Sequence, residues 1–167
     1  MREAIGTDDL DAIRSLMREY QKHLSGNPAG ADRICLTGFE QELAGLPGYY
    51  GAPGGVLLLA LVDGSPAGCV AVRPARLVTH ETACEMKRLW VGAGARGLGL
   101  GRRLAAAAID WARTAGYAAM YLDTVPAAMP EANRLYERLG FRRVERYNDN
   151  DVTDVVFFRL ELSKHQK

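Results

Sequence analysis

Residues 91–104 read VGAGARGLGLGRRL, and this stretch contains two overlapping glycine-rich motifs that are typical of different folds. From Gly92, the letters GAGARG match the G-x-G-x-x-G of a dinucleotide-binding fold, with Asp123 at the distance of a ribose-binding acid. From Arg96, the letters RGLGLG match R-x-x-G-x-G, a pyrophosphate-binding loop of another fold. The choice between the two motifs decides whether the sequence predicts an oxidoreductase or a transferase.

Length and composition predict one globular domain over residues 1–167. Apolar residues make up 48% and charged residues 25%, and the formal net charge of +1 argues against nucleic acid as a partner. Neither a membrane span of roughly 20 apolar residues nor the apolar core of a signal peptide is present. Cys35, Cys69 and Cys84 are widely spaced, so we expect no metal and no disulfide. These features together predict a cytoplasmic protein without a membrane partner.

The spacing of apolar residues predicts helices and strands in mixed order. Helices are expected to begin with a cap at Thr7, within TGFEQELAGL, near Leu100 and at Pro130. Strands are expected in REAI, GGVLLLALV, AGCVAVRPARLV, ACEMKRLWV, YAAMYLDTV, FRRVERY and DVVFFRLEL, with a tight hairpin at Asp63-Gly64. The predicted fold class is therefore α+β, with a mixed, mainly antiparallel central sheet flanked by helices.

This order of elements favours the motif that starts at Arg96. A dinucleotide-binding motif normally follows a buried parallel strand and precedes further β-α-β units, whereas here it follows a hairpin and a strand with three charged residues. A helix that began at Gly94 would also hold three glycines in its first turns, each costing up to about 1 kcal/mol relative to alanine. If the helix instead begins near Gly99–Gly101, the loop amides and the helix N-terminus can bind a pyrophosphate without a metal ion.

A family resemblance rests on two stretches, CEMKRLWVGAGARGLGLGRRL at 84–104 and PEANRLYERLGFRRV at 130–144. The first is similar to the fourth strand, pyrophosphate loop and third helix of the GNAT superfamily of acetyl-CoA-dependent N-acetyltransferases. The second is similar to a later helix-turn-strand segment of that family. The order of elements agrees along nearly the whole chain, although residues before Val56 agree in topology only. One departure is GAGA at 92–95, which replaces the family's usual turn with proline and an acid.

The resemblance implies the GNAT acyltransferase fold, with acetyl-CoA as cosubstrate and no metal. It implies that the backbone of Leu89, Trp90 and Val91 pairs with the pantetheine arm, next to a bulge that separates the fourth and fifth strands. Asn133 would contact the pantetheine and Tyr136 its sulfur, and their spacing of three places both on one helix face. The pyrophosphate would be bound by backbone amides of Arg96, Gly97, Leu98, Gly99, Leu100, Gly101 and Arg102.

The implied reaction is transfer of the acetyl group to a primary amine, by direct attack within a ternary complex. It needs a base for the amine proton and an acid for the departing thiolate. The resemblance implies Tyr136 as the acid and Glu85, on the fourth strand, as the base. His80 and a chain of waters stay open as bases. An acyl-enzyme route through Cys84 is not favoured, because no histidine neighbours it in sequence.

The acceptor stays open between a small-molecule and a peptide amine. A CoA-binding sensor without turnover and a dinucleotide-dependent oxidoreductase are the alternative functions. The oligomeric state is open as well, a homodimer included. The residues expected to line the acceptor cleft are Tyr20, Phe39, Tyr49, Tyr50, Arg73 and the RYNDND stretch at 146–151.

Overall fold

The computed structural model describes residues 1–27, 38–77, 81–150 and 152–162. In these ranges seven strands form one sheet, and four α-helices pack against it. The helices are α1 (Thr7–Ser25), α2 (Phe39–Ala44), α3 (Leu100–Thr114) and α4 (Pro130–Arg138). The strands are β1 (Arg2–Glu3), β2 (Val56–Val62), β3 (Ser65–Pro74), β4 (Ala83–Val91), β5 (Ala119–Thr124), β6 (Arg142–Val144) and β7 (Val156–Glu161).

The sheet has the order β1-β2-β3-β4-β5-β7-β6. The pair β4 and β5 is parallel, and the other neighbouring pairs are antiparallel. The hairpin between β2 and β3 turns at Asp63 and Gly64, whose φ angles of 48° and 80° suit a type I′ turn. The predicted mixed, mainly antiparallel α+β fold is confirmed.

The sheet is covered on both faces, and β2 shows this most clearly. Its side chains alternate between two apolar clusters, with Val56 and Leu58 in the cluster that includes α3, and Leu57 and Leu59 in the cluster that includes α1. Because a strand has a period of two, a strand buried on both faces reads as a continuous apolar run. The run VLLLALV is therefore a strand buried on both faces of the sheet.

Among the helices in the described ranges, none combines the length and the apolar composition of a membrane span.

Strands β4 and β5 diverge along their length. They pair only where Ala83, Cys84 and Glu85 lie beside Ala119–Tyr121. Further along, the two residues Arg88 and Leu89 oppose the single residue Val70 of β3, which is the predicted bulge, and Arg88 has φ 56°. The end of β4 therefore turns away from β5, and in the described part of the chain no strand pairs with that edge of residues 89–91.

Three details differ from the sequence-based expectation. Helix α1 begins at Thr7 itself, with Gly6 as the N-cap and no side-chain cap, and its first turn has Asp8 and Asp9 near the positive end of the helix dipole. The buried face of α3 is Leu100, Leu104, Ala105, Ala108, Ile109 and Ala112, because the stripe follows 3.6 residues per turn and leaves Trp111 at its side. Strand β6 is shorter than FRRVERY, because the chain after Val144 turns away to contact β4 and β5.

Candidate functional site

The loop between β4 and α3 presents a series of unpaired backbone donors. Gly97 and Gly99 have φ angles of 81° and 71°, and a Cβ built at either would meet no atom within 4 Å. Helix α3 begins at Leu100, as predicted, and its first loop-to-helix bond runs from the Arg103 amide to the Gly99 carbonyl. The amides of residues 97–102 donate to no acceptor among the described residues. Six such amides at a helix N-terminus form a binding surface for an anion.

Arg96 and Trp90 support this loop from one side. The Arg96 guanidinium lies 4.9 Å from the centre of the Trp90 ring, and its Nε donates to the Val91 carbonyl at 3.5 Å. The Trp90 ring is buried against α1, where it contacts Tyr20 and His23. The Trp90 side chain is thus committed to the core.

Asn133 on α4 carries an unsatisfied acceptor. Its side chain is 6% exposed, and its Nδ2 donates to the Met129 carbonyl at 2.8 Å and to Thr124 Oγ1 at 3.3 Å. Its Oδ1 is buried with no hydrogen-bond partner in the described part of the chain. A buried acceptor left unpaired costs about 1–3 kcal/mol, so this oxygen suits a ligand that brings an N–H donor.

Tyr136 lies one turn further along α4. Its ring packs against Phe141 and Phe158, with centroids 5.8 and 6.3 Å away, yet the side chain also lines a cleft. Its hydroxyl makes no hydrogen bond to any described residue. Burial raises the pKa of Tyr136 above its ordinary value, so the phenol keeps its proton at neutral pH.

The cleft has a volume of about 780 Å³ and is open to solvent on one side. The ends of β3, β4 and β5 form its floor, while α1, α2 and the β6–β7 connection form its walls. The ionisable and aromatic residues that line it are Tyr20, Glu42, Tyr49, Tyr50, Arg73, Arg76, Glu85, Lys87, Arg88, Asp123, Tyr136, Tyr147 and Asp149.

Glu85 is the most enclosed acid of the cleft, at 3% exposure. Its Oε2 accepts from Arg73 Nε at 2.8 Å, and its Oε1 accepts from Lys87 Nζ at 3.2 Å, from the Tyr147 hydroxyl and from Asn148 Nδ2. Burial alone would raise the pKa of Glu85, but the positive charges of Lys87 and Arg73 and the hydroxyl of Tyr147 together hold it below the usual value. Glu85 is therefore a carboxylate at neutral pH.

Two further acids of the cleft are also held by donors. Asp123 Oδ1 accepts from Lys87 Nζ at 2.6 Å, and its Oδ2 accepts from Asn148 and Asn150, each at 3.0 Å. Glu42 accepts from Nε and Nη2 of Arg88, at 2.9 and 2.6 Å. These partners outweigh burial and lower the pKa of both Asp123 and Glu42.

The structure corrects part of the sequence-based site. Phe39 is buried under the Arg88 guanidinium and does not line the cleft. Arg146 stacks on Phe157 instead of facing the cleft, because the chain direction after Val144 turns its side chain back to the sheet. Burial raises the pKa of Cys84 to about 12, so it is not a nucleophile at neutral pH.

The dinucleotide interpretation is wrong for this chain. The strands before the Gly92 motif are antiparallel, and Asp123 is bound to Lys87 rather than free for a ribose. His80, Cys35 and Asp151 lie outside the described residues. Sequence reasoning missed Lys87, Arg88 and Asp123 as cleft residues. The available signal was three charges on one predicted strand and one acid at the end of the next.

Comparison with known proteins agrees with this geometry. Residues 14–141 match the Acetyltransferase (GNAT) family. An uncharacterized N-acetyltransferase of Schizosaccharomyces pombe is 39% identical over 93% of this chain and 90% of the relative. N-acetylaspartate synthetase of Danio rerio is 32% identical over 75% of this chain, which matches 46% of that enzyme. A putative acetyltransferase from Salmonella typhimurium, solved with acetyl-CoA, superposes with a TM-score of 0.68 at 21% identity, covering 99% and 95% of the two chains.

The buried carboxylates predict how stability depends on pH. The pKa of Glu85 is lowered by folding, so its stabilising contribution is present above the unfolded carboxyl pKa of about 4 and is lost as pH falls through the folded pKa. We expect Glu85→Gln to lower the free energy of unfolding by about 3 kcal/mol at pH 7 and to flatten its decline in acid. Denaturant unfolding between pH 7 and pH 3 measures both effects. Glu40→Gln, at an exposed ion pair with Arg18, is the matched control and should change little.

Proposed function

This chain belongs to the Acetyltransferase (GNAT) family and is an N-acetyltransferase, and from that premise we propose that it acetylates a primary amine by direct attack in a ternary complex. The observation that carries the proposal is continuity. Leu89 at the unpaired edge of β4 lines the cleft together with Tyr136. A Cβ built at Gly101, among the unpaired amides, would lie 3.8 Å from the Val91 side chain at the end of β4 and 3.9 Å from the Leu135 side chain on α4. One elongated thioester can therefore occupy the gap while the amine enters the cleft.

The residues present fit acetyl-CoA as cosubstrate. We propose that the pyrophosphate is bound by the amides of the loop and the first turn of α3, with Arg96, Arg102 and Arg103 adding positive charge. The pantetheine arm would extend β4 along residues 89–91, and the orphaned Asn133 Oδ1 would accept from one of its amide N–H groups. Acetyl-CoA supplies an acetyl thioester at the inner end of this arm.

The backbone of residues 89–91 has a second proposed role. An N–H group on this edge that donates to the thioester carbonyl would stabilise the negative charge that develops there on attack. The bulge at Arg88 supports this role, because it turns the edge of β4 away from β5 and keeps its donors from being used within the sheet.

We propose Tyr136 as the acid that protonates the departing sulfur. Its position on the cleft wall, its uncommitted hydroxyl and its raised pKa support this assignment. A phenol that is protonated at neutral pH is a suitable donor to a thiolate. By contrast, the hydroxyl of Tyr147 is already committed to Glu85, so Tyr147 is a poorer donor.

Glu85 is the proposed base, acting through water. A direct role is disfavoured because both of its oxygens already accept hydrogen bonds from four side chains. A water between Glu85 and the amine would carry the amine proton to Glu85, and the positive charges of Lys87 and Arg73, which favour the ionised carboxylate, would drive that proton back through the water to solvent. In this relay Glu85 needs to hold the proton only briefly, which is compatible with its lowered pKa and its contacts with Lys87 and Arg73.

The proposed acceptor is a small molecule or a peptide end. The cleft volume of about 780 Å³ lies in the range of small-molecule sites and is closed by aromatic side chains on two walls. The similarity to N-acetylaspartate synthetase supports an amino acid among the acceptors.

The cofactor site is tested at Gly99. We expect Gly99→Glu to weaken acetyl-CoA binding more than tenfold beyond Gly99→Gln, because both variants strain the φ of 71° but only glutamate repels the pyrophosphate. Isothermal titration calorimetry with acetyl-CoA and CoA measures the difference. Equal affinities for the two variants would move the pyrophosphate away from this loop.

The proposed acid is tested by Tyr136→Phe, which keeps the ring and removes the hydroxyl. We expect kcat to fall by about 10²-fold, the low end of the range for acid-base groups, with little change in melting temperature or acetyl-CoA affinity. Tyr117→Phe is the matched control, because that hydroxyl donates to the Gly54 carbonyl at 2.6 Å outside the cleft, so the change should lower stability but not kcat. A Tyr136→Phe protein with parental turnover would remove Tyr136 from the mechanism.

The proposed base is tested by the pH-rate profile of Glu85→Gln. We expect the loss in kcat/KM to be largest at acidic pH and smaller where the free amine is already abundant. Tyr117→Phe, which loses the hydrogen bond to Gly54 outside the cleft, serves as the control for lost stability and should scale the profile without changing its shape. Profiles of the same shape for Glu85→Gln and the parent would leave Glu85 with a purely structural role. If acetyl-CoA binds but no amine is acetylated, the protein is a CoA-binding sensor.

A further inference from the structure

The acids of the cleft floor have most of their hydrogen-bond capacity committed to neighbouring side chains. Glu42, Glu85 and Asp123 each accept at least three hydrogen bonds or ion-pair contacts from described side chains. Their charges are matched by three cations of the floor, namely Arg73, Lys87 and Arg88. The floor is therefore close to electrically neutral, and most of its acceptor sites are occupied.

Donor capacity remains on the cations at the end of β3. Arg73 uses Nε and Nη2 on Glu85, and its Nη1 contacts no described acceptor. Arg76 has no carboxylate partner among the described residues, and its guanidinium lies 5.4 Å from the centre of the Tyr49 ring. Tyr49 is itself 70% exposed at the rim of the cleft. An aromatic ring that supports an arginine restricts the guanidinium while leaving its N–H groups available.

We propose that the uncommitted donors of Arg73 and Arg76 bind a carboxylate of the acceptor, and that the acceptor is therefore a free amino acid. The inference rests on the proposed acetyl transfer and deepens it by naming the acceptor class. A guanidinium binds a carboxylate with paired, charge-assisted hydrogen bonds, which are about twice as strong as neutral ones.

The rim of the cleft agrees with an acceptor that carries both signs of charge. Besides Arg76, the rim has Asp149, an exposed acid on the β6–β7 connection. A free amino acid carries a carboxylate, which Arg76 can bind, and before reaction an ammonium group, which Asp149 can attract. Among the described lining residues, a polyamine would meet Asp149 as the one acid without a cation partner, together with a repelling Arg76 and a floor whose carboxylates are already paired. These residues favour an amino acid over a polyamine.

The test compares amino acids with their C-terminal amides, which lack the carboxylate. Because amidation also lowers the pKa of the amine and so gives the amide more free amine at neutral pH, a preference for the acid reflects the carboxylate. With parental protein, CoA release should give a kcat/KM for the acid at least tenfold above that for the amide. Arg76→Gln should raise KM for the amino acid roughly 10- to 100-fold, the worth of hydrogen bonds to a charged group, with kcat and the values for the amide unchanged. Arg76→Lys should recover part of the loss. Arg113→Gln, paired with Asp110 on α3 outside the cleft, is the matched control.

The outcomes separate the acceptor class from the transfer itself. If amides or spermidine are acetylated as well as free amino acids, or if Arg76→Gln lowers activity on acids and amides alike, the carboxylate site is wrong while acetyl transfer stands. If no amine causes release of CoA, the proposed acetyl transfer is wrong. The carboxylate site is then tested separately, by calorimetric titration of the amino acid into CoA-saturated protein. If the amino acid binds the parental protein and Arg76→Gln weakens that binding, the carboxylate site is supported. If the amino acid does not bind the parental protein, the carboxylate site is wrong.

Discussion

The whole arrangement depends on the way β4 changes partners along its length. At its start, β4 is held on both sides, by β3 and by β5. At its end, the bulge opposite Val70 bends it away from β5, and the backbone groups on that edge are left for something other than the sheet. A strand in the middle of a sheet rarely leaves an unpaired edge, because unpaired backbone groups are costly away from water. A bound ligand would offset this cost by forming hydrogen bonds with the unpaired backbone groups of β4.

The charged floor beside the gap is stabilised in a different way. Here the β6–β7 connection extends Tyr147, Asn148 and Asn150 over the acids of β4 and β5 and satisfies their remaining lone pairs. This explains why strongly charged side chains can occupy a core strand: each acid has a cation and at least one neutral donor around it. Removing any one of these groups leaves the others buried without compensation, so the network is expected to behave as a unit.

The parts of the fold that follow from local chemistry could be predicted from the sequence. The Asp63-Gly64 pair predicted the hairpin, and the glycines of the loop predicted where α3 begins. The pattern of apolar residues predicted the strands. The site was harder to predict, because many partners of its acids are distant in sequence: Tyr147 lies 62 positions from Glu85, and Lys87 lies 36 positions from Asp123. A sequence carries no local sign of such pairing. Residues such as Tyr147, predicted to lie in a strand, instead left it for these long-range contacts. The orphaned Asn133 Oδ1 could be recognised only once the positions of its neighbours were known.

The two halves of the site differ in the kind of atom they use, and this has a consequence for how such a protein diversifies. The proposed donor half consists mostly of main-chain amides, which nearly any residue supplies as long as Gly97 and Gly99 keep the loop in shape. The proposed acceptor half consists of side chains from α1, α2, the end of β3 and the β6–β7 connection, and those at the rim, such as Tyr49, Arg76 and Asp149, can be exchanged without breaking the charge network of the floor. Descendants of such a chain can therefore inherit one acyl donor unchanged while drifting rapidly among the amines they modify.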